Sequence, residues 1–311
     1  MRFSLAAFFF FFLSFPFAFS FASEEAVLTL PAGSLHGTLE IPSDADKPPV
    51  ALIIAGSGPT DRDGNSRFAG RNDSLKQLAK ALEKNGIASL RYDKRGIGKG
   101  ISAAEKDLRF EHYVDDAVFW GEYLRLSGRF GKLIIIGHSE GALIGSIAAG
   151  KLKADAFISL AGAGRPAYKV IEEQFANIPA FRDEVRKINE HLRKGETVDS
   201  ISPELTPAFR PEIQPYVISW YRYDPAEIVA GLKMPVLIIQ GTTDIQVGVT
   251  DAEILAKANK KARLEILQGV NHVLKDSSAD MKQQKQSYTD PSYPVSLKIT
   301  DAVTLFIKEL R

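Results

Sequence analysis

An open α/β architecture is predicted, with a mostly parallel central sheet, helices on both faces and an inserted helical cap. Three observations point to it. Solid apolar runs without alternation recur at 50–55, 132–137, 155–161 and 235–240, as strands buried on both faces require. Helical patterns separate them, so successive strands are joined by crossovers. One stretch, 165–230, is too long for a simple crossover and interrupts the alternation.

Taken in order, the chain opens with an apolar leader. Ten of its 19 Phe lie within residues 1–22, where Arg2 is the only charged side chain. A positive start, a long apolar run and small residues at Ser20 and Ala22 read as a secretory signal cleaved after Ala22, which places the mature protein in a secreted or periplasmic compartment. An uncleaved membrane anchor is the alternative; with cleavage, no stable membrane insertion is expected. Residues 23–311 then form one domain, with the cap inserted at about 165–230. Segments 26–30 and 35–41 alternate around Pro31 and Gly33, the pattern of an antiparallel hairpin. Shorter strands are expected at 87–92 and 262–267, and helices at 72–85, 110–127, 141–152, 249–260 and 298–310. In the cap, helical pattern at 167–177 and 180–194 is split by Pro179 and followed by a Pro-rich segment. Its apolar stripe, from Val170 through Phe175 and Phe181 to Leu192, with Trp220 beyond, is expected to wall a substrate pocket at the sheet edge, although gluing the cap to the body fits equally.

Composition narrows the chemistry. Lys+Arg total 39 against 38 for Asp+Glu, a balance that speaks against nucleic-acid binding. Cysteine is absent, which removes thiol nucleophiles and Cys-type metal sites, and the five His show no metal-binding spacing. Neither metal nor cofactor is expected.

The informative motif is Gly137-His138-Ser139-Glu140-Gly141. It reads G-x-S-x-G between a predicted strand and a helix, where a sharp turn projects a Ser hydroxyl from the sheet edge. Ser139 is the candidate nucleophile. Its base must follow it in the chain. His191 lies in a strongly charged helical pattern, so His272, in a loop after the last strand, is the candidate. Asp244, after the strand at 235–240, is the candidate acid; Asp251 and Glu253 sit within a helix, and Asp155 lies at the wrong edge. The developing oxyanion needs backbone donors, expected from Glu140 and from Ser57, with Gly58 second, in the loop Gly56-Ser57-Gly58-Pro59. Arg62 and Arg95 are expected as ion-pair partners for Asp61, Asp63 or Asp93.

With these motifs assembled, residues 30–311 resemble the α/β-hydrolase-fold serine esterases, closest to bacterial carboxylesterases and acyl hydrolases. The resemblance rests on the G-S-G-P-x-D-R-D-G loop at 56–64, the G-H-S-E-G elbow at 137–141, the N-H-x-L loop at 271–274 and the D-x-R-G-x-G turn at 93–98. Ala55 departs from the His that many relatives carry before the oxyanion glycine. The resemblance implies hydrolysis of a small-molecule carboxylic ester, with short acyl chains expected, through a Ser–His–Asp acyl-enzyme mechanism. A serine peptidase or aminopeptidase of the same fold is the alternative, and a non-catalytic binding protein a more distant one. The oligomeric state is left open.

Overall fold

The computed structural model describes residues 22–43, 45–67 and 70–310. The leader and its cleavage site lie at the edge of or outside these residues. Eight strands form one sheet: β1 (Ala22–Leu30), β2 (Gly33–Ile41), β3 (Val50–Ile54), β4 (Ala88–Tyr92), β5 (Leu133–His138), β6 (Ala156–Leu160), β7 (Val236–Gly241) and β8 (Arg263–Leu267), in the order β1-β2-β4-β3-β5-β6-β7-β8. The β1–β2 hairpin is antiparallel and β2 joins β4 antiparallel; every other pairing is parallel. The expected fold class is borne out.

The solid apolar strands bury both faces. Val50, Leu52 and Ile54 of β3 point into one core, and Ala51 and Ile53 into the other. The first core is completed by α2 (Phe110–Leu126) and α3 (Glu140–Leu152), together with α8 (Pro225–Gly231) and α9 (Val249–Ala258). The second is closed by α1 (Ser74–Lys84) and α11 (Leu297–Glu309). Helix α1 shows the logic: Leu75, Leu78, Ala79 and Leu82 recur at helical spacing and are fully buried on the sheet. Among the described residues, no helix is long and apolar enough to cross a membrane.

Between β6 and β7 rises the cap. It comprises α4 (Ala167–Phe175), α5 (Pro179–Arg193), the short α6 (Thr206–Phe209) and α7 (Gln214–Trp220), with single 3-10 turns among the prolines. The stripe of α5 does not reach the sheet. Val185, Ile188 and Leu192 pack on Leu205, Phe209, Val217 and Tyr221, a third apolar core belonging to the cap itself. Arg165 moors the entry of the cap: its guanidinium donates to both Asp251 carboxylate oxygens, at 3.0 and 2.6 Å. Asp251 also accepts the Gly164 N–H.

The chain leaves β3 toward β4 on one side and then places β5 on the other. The carboxyl ends of β3 and β5 therefore flank a topological switch point, where open α/β sheets bind ligands.

Candidate active site

Ser139 sits between β5 and α3 with φ 56° and ψ −122°, a conformation strained for any side chain other than glycine's. The glycines of the motif make the turn possible. A Cβ at Gly141 would overlap the Ile54 carbonyl, and one at Gly137 would overlap the carbonyl of Gly141. The elbow thus needs bare backbone where α3 crosses the end of β3. Glu140 opens α3, so its N–H is among those that have no acceptor within the helix. Across the switch point, Gly56 lies so close that a Cβ there would stand 3.1 Å from that of Ser139. Ser57 and Gly58 follow it on the wall of the same cavity as Ser139 and Glu140. The Ser57 N–H donates to no other described residue.

The loops after β7 and β8 bring Asp244 and His272 together. His272 Nδ1 lies 2.8 Å from Asp244 Oδ2. The same oxygen accepts Gln240 Nε2 at 2.9 Å, while Oδ1 accepts the N–H groups of Gln246 and Val247 at 2.7 and 2.9 Å. Burial alone would raise the Asp244 carboxyl, but His272 and these donors hold it below its ordinary value. An ionised acceptor there fixes His272 with its proton on Nδ1 and leaves Nε2 as a base. The His272 loop is itself pinned from beneath. Asn271 donates to Ser287 Oγ at 2.7 Å, on α10 (Met281–Thr289), and its Oδ1 accepts the Lys275 N–H. His138, beside Ser139, donates from Nε2 to the His272 carbonyl at 2.7 Å, with the two rings 5.0 Å apart. Burial, and then the neighbouring His272, lower the His138 imidazole to about 4, so it is neutral.

The competing candidates have other roles. His191 is exposed and pairs with Glu196. Asp155 caps the start of β5 through the Leu133 N–H. Asp251 serves the cap mooring. Arg62 pairs with Asp93 at 2.8 Å, whereas Arg95 chelates Asp116, a partner not anticipated.

A cavity of about 390 Å³ opens at Ser139. Leu143 and Tyr113 line it from the body, and Val170, Ile171, Tyr216 and Trp220 from the cap. Trp220 is where the sequence placed it. Phe175 and Phe181 are not; both pack against the core of the cap. The physical reason is that α6 and α7 supply apolar partners within the cap, so Phe181 on α5 and Phe175 at the end of α4 turn toward that core, while Val170 earlier on α4 still reaches the cavity. The Pro-rich segment concealed those helices.

One group on the wall escaped the sequence reading. Lys94, just past β4, is fully buried. Its Nζ donates to the carbonyls of Gly56 at 2.5 Å and Gly58 at 3.0 Å. Glu140 Oε2 stands 3.8 Å away, and Glu140 Oε1 accepts the Tyr216 hydroxyl at 2.5 Å. Burial lowers the Lys94 ammonium and raises the Glu140 carboxyl, each against the pull of the other. The only sequence signal was a lysine inside the 93–98 turn at the functional edge.

The profile of the serine aminopeptidase, S33 family matches residues 66–226, more than half of the chain, including the elbow and most of the cap. The chain belongs to this family. Esterase EstD of Thermotoga maritima is a 27% identical relative over 278 residues, covering 86% of this chain; the chain spans 65% of the length of that relative. Among solved structures, Est1E from Butyrivibrio proteoclasticus with bound ferulic acid superposes with a TM-score of 0.60 at 22% identity, over 89% of this chain and 95% of the other. The Pyrococcus furiosus esterase Pf2001 gives 0.59 at 17%, over 95% and 94%. These two place the family member in the α/β-hydrolase fold.

Proposed function

We propose that this member of the family hydrolyses small carboxylic esters through an acyl-enzyme. Ser139 Oγ attacks the carbonyl carbon while His272 Nε2 takes its proton. Asp244 stabilises the imidazolium, and the N–H groups of Ser57 and Glu140 hold the oxyanion. The alcohol leaves with the proton from His272, and water attacks the acyl-enzyme by the same route. The hydrogen-bonded His272–Asp244 pair, at the same sheet edge as the strained Ser139, carries this reading. The name of the Thermotoga relative supports an ester as substrate. Aromatic walls around a cavity near the small end of the usual range of about 300–1,000 Å³ support short acyl groups. Residues 1–22 support a secreted or periplasmic location.

The family's description favours a second reading, aminopeptidase action. That chemistry needs an anion for the substrate ammonium. The carboxylates on the cavity wall are already engaged: Glu105 binds Arg210, and Glu140 binds Tyr216 beside Lys94. This favours the ester.

The deciding experiment labels the protein with a fluorophosphonate and compares nitrophenyl esters with aminoacyl anilides. Labelling at Ser139, with esters preferred and turnover reduced by about three decades or more in Ser139→Ala, is expected. Labelling with anilides preferred moves the assignment to peptidase, and an unlabelled Ser139 overturns both.

A further inference from the structure

The two donors of the oxyanion hole follow paired strands: Glu140 opens α3 just after β5, while Ser57 lies in the loop after β3, past the last paired position of that ladder at Ile54 and Gly137. The loop after β3 carries Ser57 between two glycines, Gly56 and Gly58, the latter at φ +68°. Such a backbone has little intrinsic preference for one orientation of the Gly56–Ser57 peptide. Yet that orientation decides whether the Ser57 N–H points toward the substrate or away from it. In a trans peptide the C=O and N–H are antiparallel and rigidly linked. Fixing the carbonyl of Gly56 on one side therefore aims the N–H of Ser57 on the other.

Lys94 occupies the position from which this can be done. Its buried ammonium reaches the Gly56 carbonyl, which belongs to the Gly56–Ser57 peptide itself, and the Gly58 carbonyl, which belongs to the Gly58–Pro59 peptide further along the loop. Its remaining side faces Glu140 Oε2, which has no hydrogen-bond partner among the described residues, and the Tyr113 ring lies under the Nζ at 5.3 Å. Glu140 is the residue that supplies the second N–H. One cation thus touches both contributors to the hole, and Tyr216 steadies the Glu140 carboxyl from the cap. A charge-assisted bond to a carbonyl also polarises its peptide, which strengthens the N–H at the opposite end.

We propose that Lys94 is a positioning residue of the oxyanion hole, its ammonium locking the Gly56–Ser57 peptide with the N–H turned toward the reacting carbonyl. This rests on the acyl-enzyme reading above. It separates Lys94 from a simple buried ion pair, because its effect falls on the transition state and not on substrate binding.

The test begins with fluorophosphonate labelling of the wild-type chain at Ser139; if that fails, the acyl-enzyme reading falls before any Lys94 variant is made. Given labelling, Lys94→Met is assayed on a nitrophenyl ester and titrated with an aryl trifluoromethyl ketone, whose hemiketal oxygen occupies the hole. Loss of one oxyanion donor costs about 10²–10³ in kcat. The expected result is a fall of that size in kcat, a matching loss in ketone affinity, and KM within about threefold of wild type. The chain contains no cysteine, so Lys94→Cys can be aminoethylated in denaturant and refolded, which restores a lysine-like amine at this position alone. Recovery of kcat and ketone affinity on aminoethylation supports the proposal, whether or not Lys94→Met folds. Three results overturn it: kcat in a folded Lys94→Met within about threefold of wild type, kcat and KM deteriorating together in a Lys94→Met chain whose near-UV circular dichroism is that of wild type, or no recovery of kcat in a refolded aminoethylated chain.

Discussion

The neutral, buried His138 makes stability depend on acid in a way that can be calculated. Its imidazole titrates near 4 when folded, against an ordinary value of 6.5. Between those values the unfolded chain binds a proton that the folded chain refuses. Stability therefore rises with pH through this window and is lost as pH falls from about 6.5 toward 4. Integrating the two titrations, this one group withdraws about 2 kcal/mol between pH 8 and pH 5, and about 3 kcal/mol by pH 4. His138→Gln keeps a side-chain N–H able to reach the His272 carbonyl but cannot titrate. Urea unfolding followed by the fluorescence of the two tryptophans, in wild type and variant at pH 5, 6, 7 and 8, isolates the contribution, because all other groups titrate in both. The gap in unfolding free energy between wild type and variant should shift by about 2 kcal/mol over this range, with the variant the less acid-sensitive. Parallel pH dependences in the two proteins would refute the burial argument.

Other outcomes follow from the same geometry. Asp244→Asn should lower kcat by about 10⁴ while KM changes little, because the imidazole loses its tautomer and its counter-charge; steady-state kinetics check this. Trp220→Ala should shift preference toward longer acyl chains by about tenfold or more, read from kcat/KM across nitrophenyl acetate, butyrate and hexanoate. Phe209→Ala, in the core of the cap, should cost about 3–5 kcal/mol of stability yet leave that chain-length profile unchanged, as denaturant melts alongside the same ester series would show. Gly141→Ala forces a methyl against the Ile54 carbonyl and should cost about 1–3 kcal/mol or more, with turnover falling alongside it in the same melts and assays.

The legible parts of this chain were those whose physics is local. A strand buried on both faces needs only a run such as Val50 to Ile54, and an elbow needs glycines two residues either side of Ser139, so both show in a short window. Asp244 and His272 were reachable because chain order and strand ends constrain where an acid and a base can stand. The pocket wall was reachable only in part: Trp220 lines the cavity as expected, whereas Phe175 and Phe181 do not. Whether Phe175 or Trp220 lines the cavity depends on which helix face finds a partner, and α6 and α7 are short, Pro-started helices with little periodicity to reveal them. Likewise Lys94 looks like any lysine near a surface turn until the Gly56 loop is folded over it.

The separate core of the cap gives the molecule two parts that can change at different rates. Leu205, Phe209 and Val217 satisfy one another without help from the sheet, while Ser139, His272 and Asp244 stand on loops of the platform. A repacked, lengthened or transplanted cap leaves those loops undisturbed as long as its contacts with the body are kept: Arg165–Asp251, Tyr216–Glu140, Arg210–Glu105, Gln174 on the Gln246 carbonyl, and Ser219 under the Phe110 N–H. Under the proposed mechanism, selectivity can therefore drift, or be engineered, by exchanging one cassette, with no need to rebuild the proposed reacting groups beneath it.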